Sequence, residues 1–299
     1  MWTYAQWVRQ VYLGCIPAYP IGYLLVHCVR DDFFFTKFYV KRSDLAPSEH
    51  LKEIVENEFD NLEGDVQHPR LHVTLTDSLE PSVFGGFFLK NGAEIQFPLA
   101  ASFVDIEYAR RLGGHIEMDF GQTRNRRKLE NSSSIAEEML TRMMLSEKAK
   151  KFIVQSQLQR ANDGLLFSLP LFGWAALSTA GYPMLLMLSR FIGFTASFVA
   201  SLGGATLAYR ELLKKLEGFA ALRTDEKTVR MGRQYEEGAR EYLATQMAVG
   251  RMLKKVMGSE GKLRIAKNGD LLADAVPYSR RLRAIDQLNL MEAEDKEID

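Results

Sequence analysis

GLLFSLPLFGWAALSTAGYPMLLMLSRFIGFTASFVASLGGATLAY, Gly164 to Tyr209, holds a single charged residue, Arg190, in a chain whose charged fraction is 25%. A straight helix of that length would run about 69 Å at 1.5 Å per residue. The hydrocarbon core of a bilayer is only about 30 Å thick and takes about 20 residues. The stretch therefore reads as a transmembrane helical hairpin with spans near 164–183 and 191–209. Arg190 belongs to the turn between them, because an arginine at a helix centre costs about 2.5–3.5 kcal/mol on insertion. Gly181, Tyr182 and Pro183 supply a helix break just ahead of it. The second span carries small residues at Ala196, Ala200, Gly204 and Ala208, an i, i+4 stripe that lets two helices approach closely. That face either packs the hairpin on itself or receives a partner membrane helix. The competing reading, two core helices of a soluble protein, requires a polar stripe on each, and neither half has one.

Elsewhere the composition is that of a protein in water. Thirty-eight Lys and Arg balance 38 Asp and Glu over 299 residues, and mean hydropathy is −0.16. The balance excludes a general polyanion binder, and the length allows one or two domains. Cys15 and Cys28 are the only cysteines. They fit no zinc or CxxC spacing and read as small hydrophobes in an apolar segment.

That N-terminal segment, 1–42, is uncharged from Gln10 to Val29, long enough to span, and interrupted by Pro17, Pro20 and His27, which make it a poor helix former. Three readings stay open: an uncleaved targeting segment, a third span or an interfacial segment. Trp2, Tyr4, Trp7, Tyr19 and Tyr23 favour a span through the interfacial preference of aromatic rings. Asp31–Val40 is aromatic-rich and suits a surface just outside the membrane.

A soluble α+β region is expected over 43–163. Pro47–Leu62 reads as an amphipathic helix capped by Ser48. Strands are expected at 71–75, 86–90, 93–99 and 115–120, with Asn91-Gly92 as a two-residue hairpin turn, giving a small, mostly antiparallel sheet. Ser132–Asp163 reads as one long helix opened by a Ser134/Glu137 capping box. Its Met139, Met143 and Met144 read as core rather than copper ligands. After the hairpin, 210–299 reads as a long helix ending at Gly258, a β-hairpin over Lys262–Leu272 turning at Asn268-Gly269, and a loose tail. Lys148, Lys150, Lys151 and Arg160 precede the hairpin, and Arg210, Lys214 and Lys215 follow it. The positive-inside rule puts both flanks on the same, matrix or cytoplasmic, side, where they can fold together.

Sites for chemistry are sparse. His68 and His72 are four apart, but Pro69 forbids the helix that would align them; His27, His50 and His115 stand alone. No HExxH, phosphate loop, nucleophile elbow or dinucleotide fingerprint occurs. Asp105/Glu107 and Glu117/Asp119 each place two carboxylates on one face of an extended segment, which alternating surface charge explains as well as acid–base work does. Arg124–Lys128 is a compact basic run suited to solvent or lipid headgroups rather than nucleic acid.

Four stretches carry a family likeness: FPLAASF (Phe97–Phe103), LSEKAKKF (Leu145–Phe152), the apolar hairpin, and Glu241 to Arg281 with its GKL-x-x-x-x-NG segment and Pro277-Tyr278-Ser279-Arg280-Arg281. Together they resemble the transmembrane protein 177 family of the mitochondrial inner membrane. The resemblance implies a non-enzymatic accessory factor in cytochrome c oxidase biogenesis. It would associate with the newly made subunit II and with that subunit's membrane chaperone, without a cofactor. Its soluble domain would face the matrix. Two other classes remain: a membrane-anchored enzyme or lipid-binding protein with its site in the 69–120 β region, and a self-associating structural membrane protein. The fold expected is an α+β membrane protein, a helical hairpin with long flanking helices and a small β-rich soluble domain.

Overall fold

Asp163 starts the apolar stretch, its carboxylate accepting from the backbone N–H groups of Leu165 at 3.1 Å and Leu166 at 3.4 Å, the ordinary work of an N-cap. The computed structural model describes residues 3–28, 43, 45–62, 71–76, 78–113, 117–118, 127–128 and 134–298. In chain order its elements are α1 (Tyr4–Cys28), α2 (Glu49–Asp60), β1 (Leu71–Thr76), β2 (Ser82–Gly85), β3 (Ala93–Pro98), a 3-10 turn (Leu99–Ser102), α3 (Ile106–Gly113), β4 (Glu117–Met118) and β5 (Arg127–Lys128). Then follow α4 (Ser134–Met143), α5 (Glu147–Asn162), α6 (Gly164–Ile192), α7 (Phe194–Val229), α8 (Arg233–Val256), α9 (Ser259–Arg264) and α10 (Tyr278–Ile298). They form two units: 1–39 with 163–218, and 40–162 with 219–299.

The first unit contains α1, α6 and the beginning of α7. The expected break at Gly181–Pro183 is absent. Helix α6 runs through Pro170 and Pro183 and stops at Gly193, whose φ of 79° only glycine adopts readily. Arg190 therefore lies in the last helical turn rather than in a loop, where a cation meets the negative end of the helix dipole. Two described helices, α1 and α6, are long and apolar enough to cross a membrane. The 191–209 segment, expected as the second span, is not one of them: α7 begins only at Phe194, and its apolar run ends at Tyr209 with Arg210 and Glu211 directly after.

Helix α1 is continuous through Pro17 and Pro20, contrary to its expected weakness as a helix. Pro20 has no N–H for the carbonyl of Ile16, and the Trp174 indole of α6 donates to that carbonyl instead at 2.9 Å. Tyr12, fully buried, donates to Ser178 O at 2.9 Å, and Tyr23 to Phe167 O at 3.2 Å. Tyr19 stacks at 5.5 Å from Trp174 and 4.9 Å from Tyr209. Tyr19 and Tyr23 are thus packing residues between helices, while Tyr4 and Trp7 remain exposed. Cys15 and Cys28 are free thiols.

The second unit carries the sheet. Its strand order is β1-β3-β2, with β1 parallel to β3 from Leu71↔Ala93 to Thr76↔Pro98 and β2 antiparallel to it. The sheet is mixed, not mostly antiparallel. The expected 86–90 strand is a loop: Gly85 and Gly92 take φ of 78° and 68°, and Gly86 donates across to Gly92 O at 3.2 Å. The strand lies just before it, so Asn91-Gly92 closes a longer connection than a two-residue turn. Of 115–120 only Glu117–Met118 is described, paired with Arg127–Lys128. Asp31–Val40, His68, His115, Asp119 and Arg124–Arg126 lie outside the described residues.

Both expected long helices are broken. Ser146 caps α5, its hydroxyl accepting from Ala149 N at 3.3 Å, so 132–163 divides into α4 and α5. Gly232 divides 210–258 into α7 and α8. The 262–272 hairpin shrinks to one antiparallel bridge, Ile265↔Leu271, with Gly269 at φ 99°, because Lys262–Arg264 is helical. The tail is helix α10. Asp105 is no strand carboxylate; it accepts from Tyr108 N at 2.7 Å and opens α3, which contains Glu107.

The core is assembled from both sides of the apolar excursion. Helix α5 buries Ala149, Phe152, Ile153, Val154 and Leu158, and α8 buries Ala239, Tyr242, Leu243 and Val249. Met139 and Met143 of α4 join the same cluster, so these methionines are core. The two long helices approach so closely at Gly238 that a Cβ there would land on the Lys148 carbonyl. Gly238→Ala should therefore destabilise by about 1–3 kcal/mol, read as a lower apparent melting temperature. Gly203→Ala, with nothing within 4 Å, is the control and should not lower it.

Candidate functional site

Pro277 to Arg281 opens α10, and its side chains divide sharply. The Pro277 carbonyl accepts from the N–H groups of Arg280 at 2.9 Å and Arg281 at 3.1 Å. Ser279 donates its N–H at 3.0 Å and its hydroxyl at 2.5 Å to the carboxylate of Asp270, which thereby caps the helix from a neighbouring loop. Burial alone would raise the pKa of Asp270, but those bonds win and hold it below the usual carboxylate range. Arg280 points outward. Tyr278 and Arg281 point inward and are buried.

Arg281 makes a bidentate ion pair with Asp225 of α7: Nε at 2.7 Å from Oδ2 and a terminal nitrogen at 2.9 Å from Oδ1. Glu80 stands 3.9 Å from its other nitrogen. Burial works against the guanidinium charge and Asp225 more than restores it, so the arginine stays cationic. Removing one member of such a pair costs about 3–5 kcal/mol, since the other is left charged in the core. Oε1 of Gln157 and Oδ2 of Asp274 are enclosed beside it without a hydrogen-bond partner, and the buried phenols of Tyr242 and Tyr278 have Gln246 and Glu80 as polar neighbours. A cavity of about 30 Å³ lined by Glu80, Gln157, Thr224, Tyr242 and Arg281 adjoins the pair, room for about one water. The cluster can hold three segments together; it has no space for a substrate.

Three of the four resembling stretches meet in this unit. Glu241 accepts from Ser146 N at 2.9 Å and from the Ser146 hydroxyl. Lys150, buried, donates its ammonium to the Phe103 carbonyl, and burial lowers its pKa. Phe152 lies 6.1 Å from the Tyr242 ring. Nearby, Tyr235 donates to the buried carboxylate of Glu58 at 2.6 Å, and burial raises the pKa of Glu58. His72 lies on β1, exposed, and Glu117 faces Lys128 in register. Among the described residues no group of His, Cys, Asp and Glu is placed to hold a metal ion.

A model of the family described as Transmembrane protein 177 matches residues 5–299. The chain belongs to that family. No curated protein and no solved structure matches it. The transmembrane protein 177 family name and the two apolar helices together point to a membrane protein.

Within that reading the small-residue stripe falls one position off the packed face of α7. Ser197, Ser201, Ala205 and Tyr209 are buried in the first unit, whereas Ala196, Ala200, Gly204 and Ala208 are exposed. Sequence spacing alone does not separate two adjacent stripes of small residues; the tyrosine closing one of them was the available signal.

Asp274 carries the site's pH dependence. Burial, helped by Glu80 and Asp270 and opposed by Arg281, pushes its carboxyl up to about 7. A raised carboxyl favours the folded state while protonated, so this contribution is complete below about pH 4 and fades as pH rises through 7. The residue is partly exposed, which limits the effect to on the order of 1–2 kcal/mol. Denaturant unfolding from pH 5 to 8 should show stability falling with pH, and Asp274→Asn should flatten that slope. An unchanged slope would exclude the assignment.

Proposed function

We propose that the protein is a non-enzymatic accessory factor that stabilises newly made membrane subunits, acting in cytochrome c oxidase biogenesis in the mitochondrial inner membrane. The observation carrying the proposal is the exposed Ala196/Ala200/Gly204/Ala208 face of a helix whose adjacent stripe is already packed. Small residues on an uncovered face let a second helix approach to backbone distance. The family resemblance supplies the partners: subunit II of the oxidase and its membrane chaperone. The second unit faces the matrix. No step of this work requires a cofactor or a reacting group.

A β-region enzyme or lipid-binding site has less support. The described cavity there, lined by Thr76, Leu99, Ala100, Gln246 and Val249 among others, measures about 20 Å³, water-sized rather than substrate-sized. Self-association through the same α7 face is the remaining competitor, and one experiment separates it. Affinity purification in mild detergent should recover oxidase assembly intermediates with the unmodified protein and lose them with Gly204→Leu. Recovery of the protein alone, with normal oxidase after its deletion, would overturn the proposal. Recovery of only a second tagged copy would favour self-association.

A further inference from the structure

At the α6–α7 turn end of the first unit, α1 and α7 diverge around an open cleft of about 400 Å³ lined by Tyr4, Trp7, Val8, Val11, Thr195 and Phe198. Its volume is that of a small-molecule pocket, and its lining is apolar apart from the hydroxyls of Tyr4 and Thr195, which hydrogen-bond each other. Tyr4 and Trp7 are 64% and 60% exposed, so the cleft is rimmed by the two ring types that prefer the membrane–water boundary. Beside it, the Arg9 guanidinium lies 5.5 Å from the centroid of the Phe194 ring. Arg190 ends α6 just before the Gly193 turn that leads into Phe194.

The charge around this cleft has one sign. Neither 3–28 nor 164–209 contains an Asp or Glu. The nearest acid in sequence is Glu211, 13 residues beyond Phe198 along α7, and Asp163 caps the opposite end of α6. Both arginines are exposed. An apolar groove continuous with an interfacial aromatic rim and an uncompensated pair of arginines matches a molecule with an acyl chain and an anionic headgroup.

We propose that this cleft binds one anionic glycerophospholipid, with an acyl chain along Val8, Val11 and Phe198 and the phosphate at Arg9 and Arg190. Arg9 is then held by Phe194 through a cation–π contact while its outer N–H groups meet the phosphate. The lipid fills the gap between α1 and α7. The site requires the first unit to sit in a bilayer but not any particular assembly partner, so it stands or falls separately from the oxidase role.

Native mass spectrometry of the full-length protein, after exposure in detergent to equal phosphatidylglycerol and phosphatidylcholine, tests this. The expected result is one phosphatidylglycerol retained in preference to phosphatidylcholine. Arg9→Gln should lower its retention about fivefold, and adding Arg190→Gln should lower it further. Val11→Trp, which fills the cleft and keeps both arginines, should displace the lipid as well. Equal retention of the two lipids, retention unaffected by Arg9→Gln, or a lipid-free dimer closed through the cleft would each overturn the proposal. Should the variants unfold, as far-UV circular dichroism would report, the headgroup preference of the unmodified protein decides alone.

Discussion

Residues from before and after the apolar excursion share one hydrophobic core. Helix α5 ends at Asn162, α6 begins at Gly164, and the chain rejoins the second unit from Phe219. Phe152 and Ile153 on one side, and Tyr242 and Leu243 on the other, are fully or almost fully buried, each apolar side chain contributing about 1.5–3 kcal/mol on burial. The Ser146–Glu241 bonds fasten the two sides directly, and the Arg281–Asp225 pair joins two segments of the later side with Glu80 of the earlier one 3.9 Å away. An excursion that begins and ends in one packed core must leave and return on the same side of whatever it enters. That constraint closes the excursion on the core it left, so the residues on its two sides belong to one folded unit.

Inside the first unit the constraint is a different one. Four prolines interrupt the hydrogen-bond ladders of α1 and α6, and in hydrocarbon an unpaired carbonyl costs several kcal/mol. At Ile16 the structure supplies the replacement donor, the Trp174 indole. Tyr12, Tyr23 and Tyr209 donate to other carbonyls of α6, those of Ser178, Phe167 and Pro170. These side-chain bonds tie α1 and the start of α7 to α6. They also face the aromatic residues of α1 inward, apart from Tyr4 and Trp7, which remain on the outside.

Much of this was legible from residues alone. The polar composition around a greasy insertion, the Ser48 cap, the Gly258 stop and the core methionines followed from spacing and charge, and the family likeness from the resembling phrases. What failed did so for identifiable reasons. Pro17, Pro20 and Pro183 read as breaks, yet α1 and α6 run through them, and the donor that compensates Pro20, the Trp174 indole, is distant in sequence. Ser146 and Gly232 were passed over as helix boundaries because apolar periodicity continues across both. The 86–90 segment looked like a strand by composition, yet glycines at 85 and 92 forced a loop and moved the strand upstream. Pro277, Tyr278, Arg280 and Arg281 stood out as a family phrase, but nothing nearby announced that Arg281 finds Asp225, because that partner lies 56 residues earlier, on α7. The exposed and the packed stripes of α7 differ by one residue, a distinction only tertiary contacts make.

The claim on which the account rests is that the flanks of a membrane-inserted hairpin lie together on one side. Single cysteines at Glu53, Glu260 and Gly193, in a Cys15→Ser, Cys28→Ser background, can be probed with a membrane-impermeant maleimide in sealed and inverted membranes. The account predicts that Glu53 and Glu260 positions label from the same side and the Gly193 position only from the other. Flanking positions that label from opposite sides, or a Gly193 position that labels with them, would contradict it.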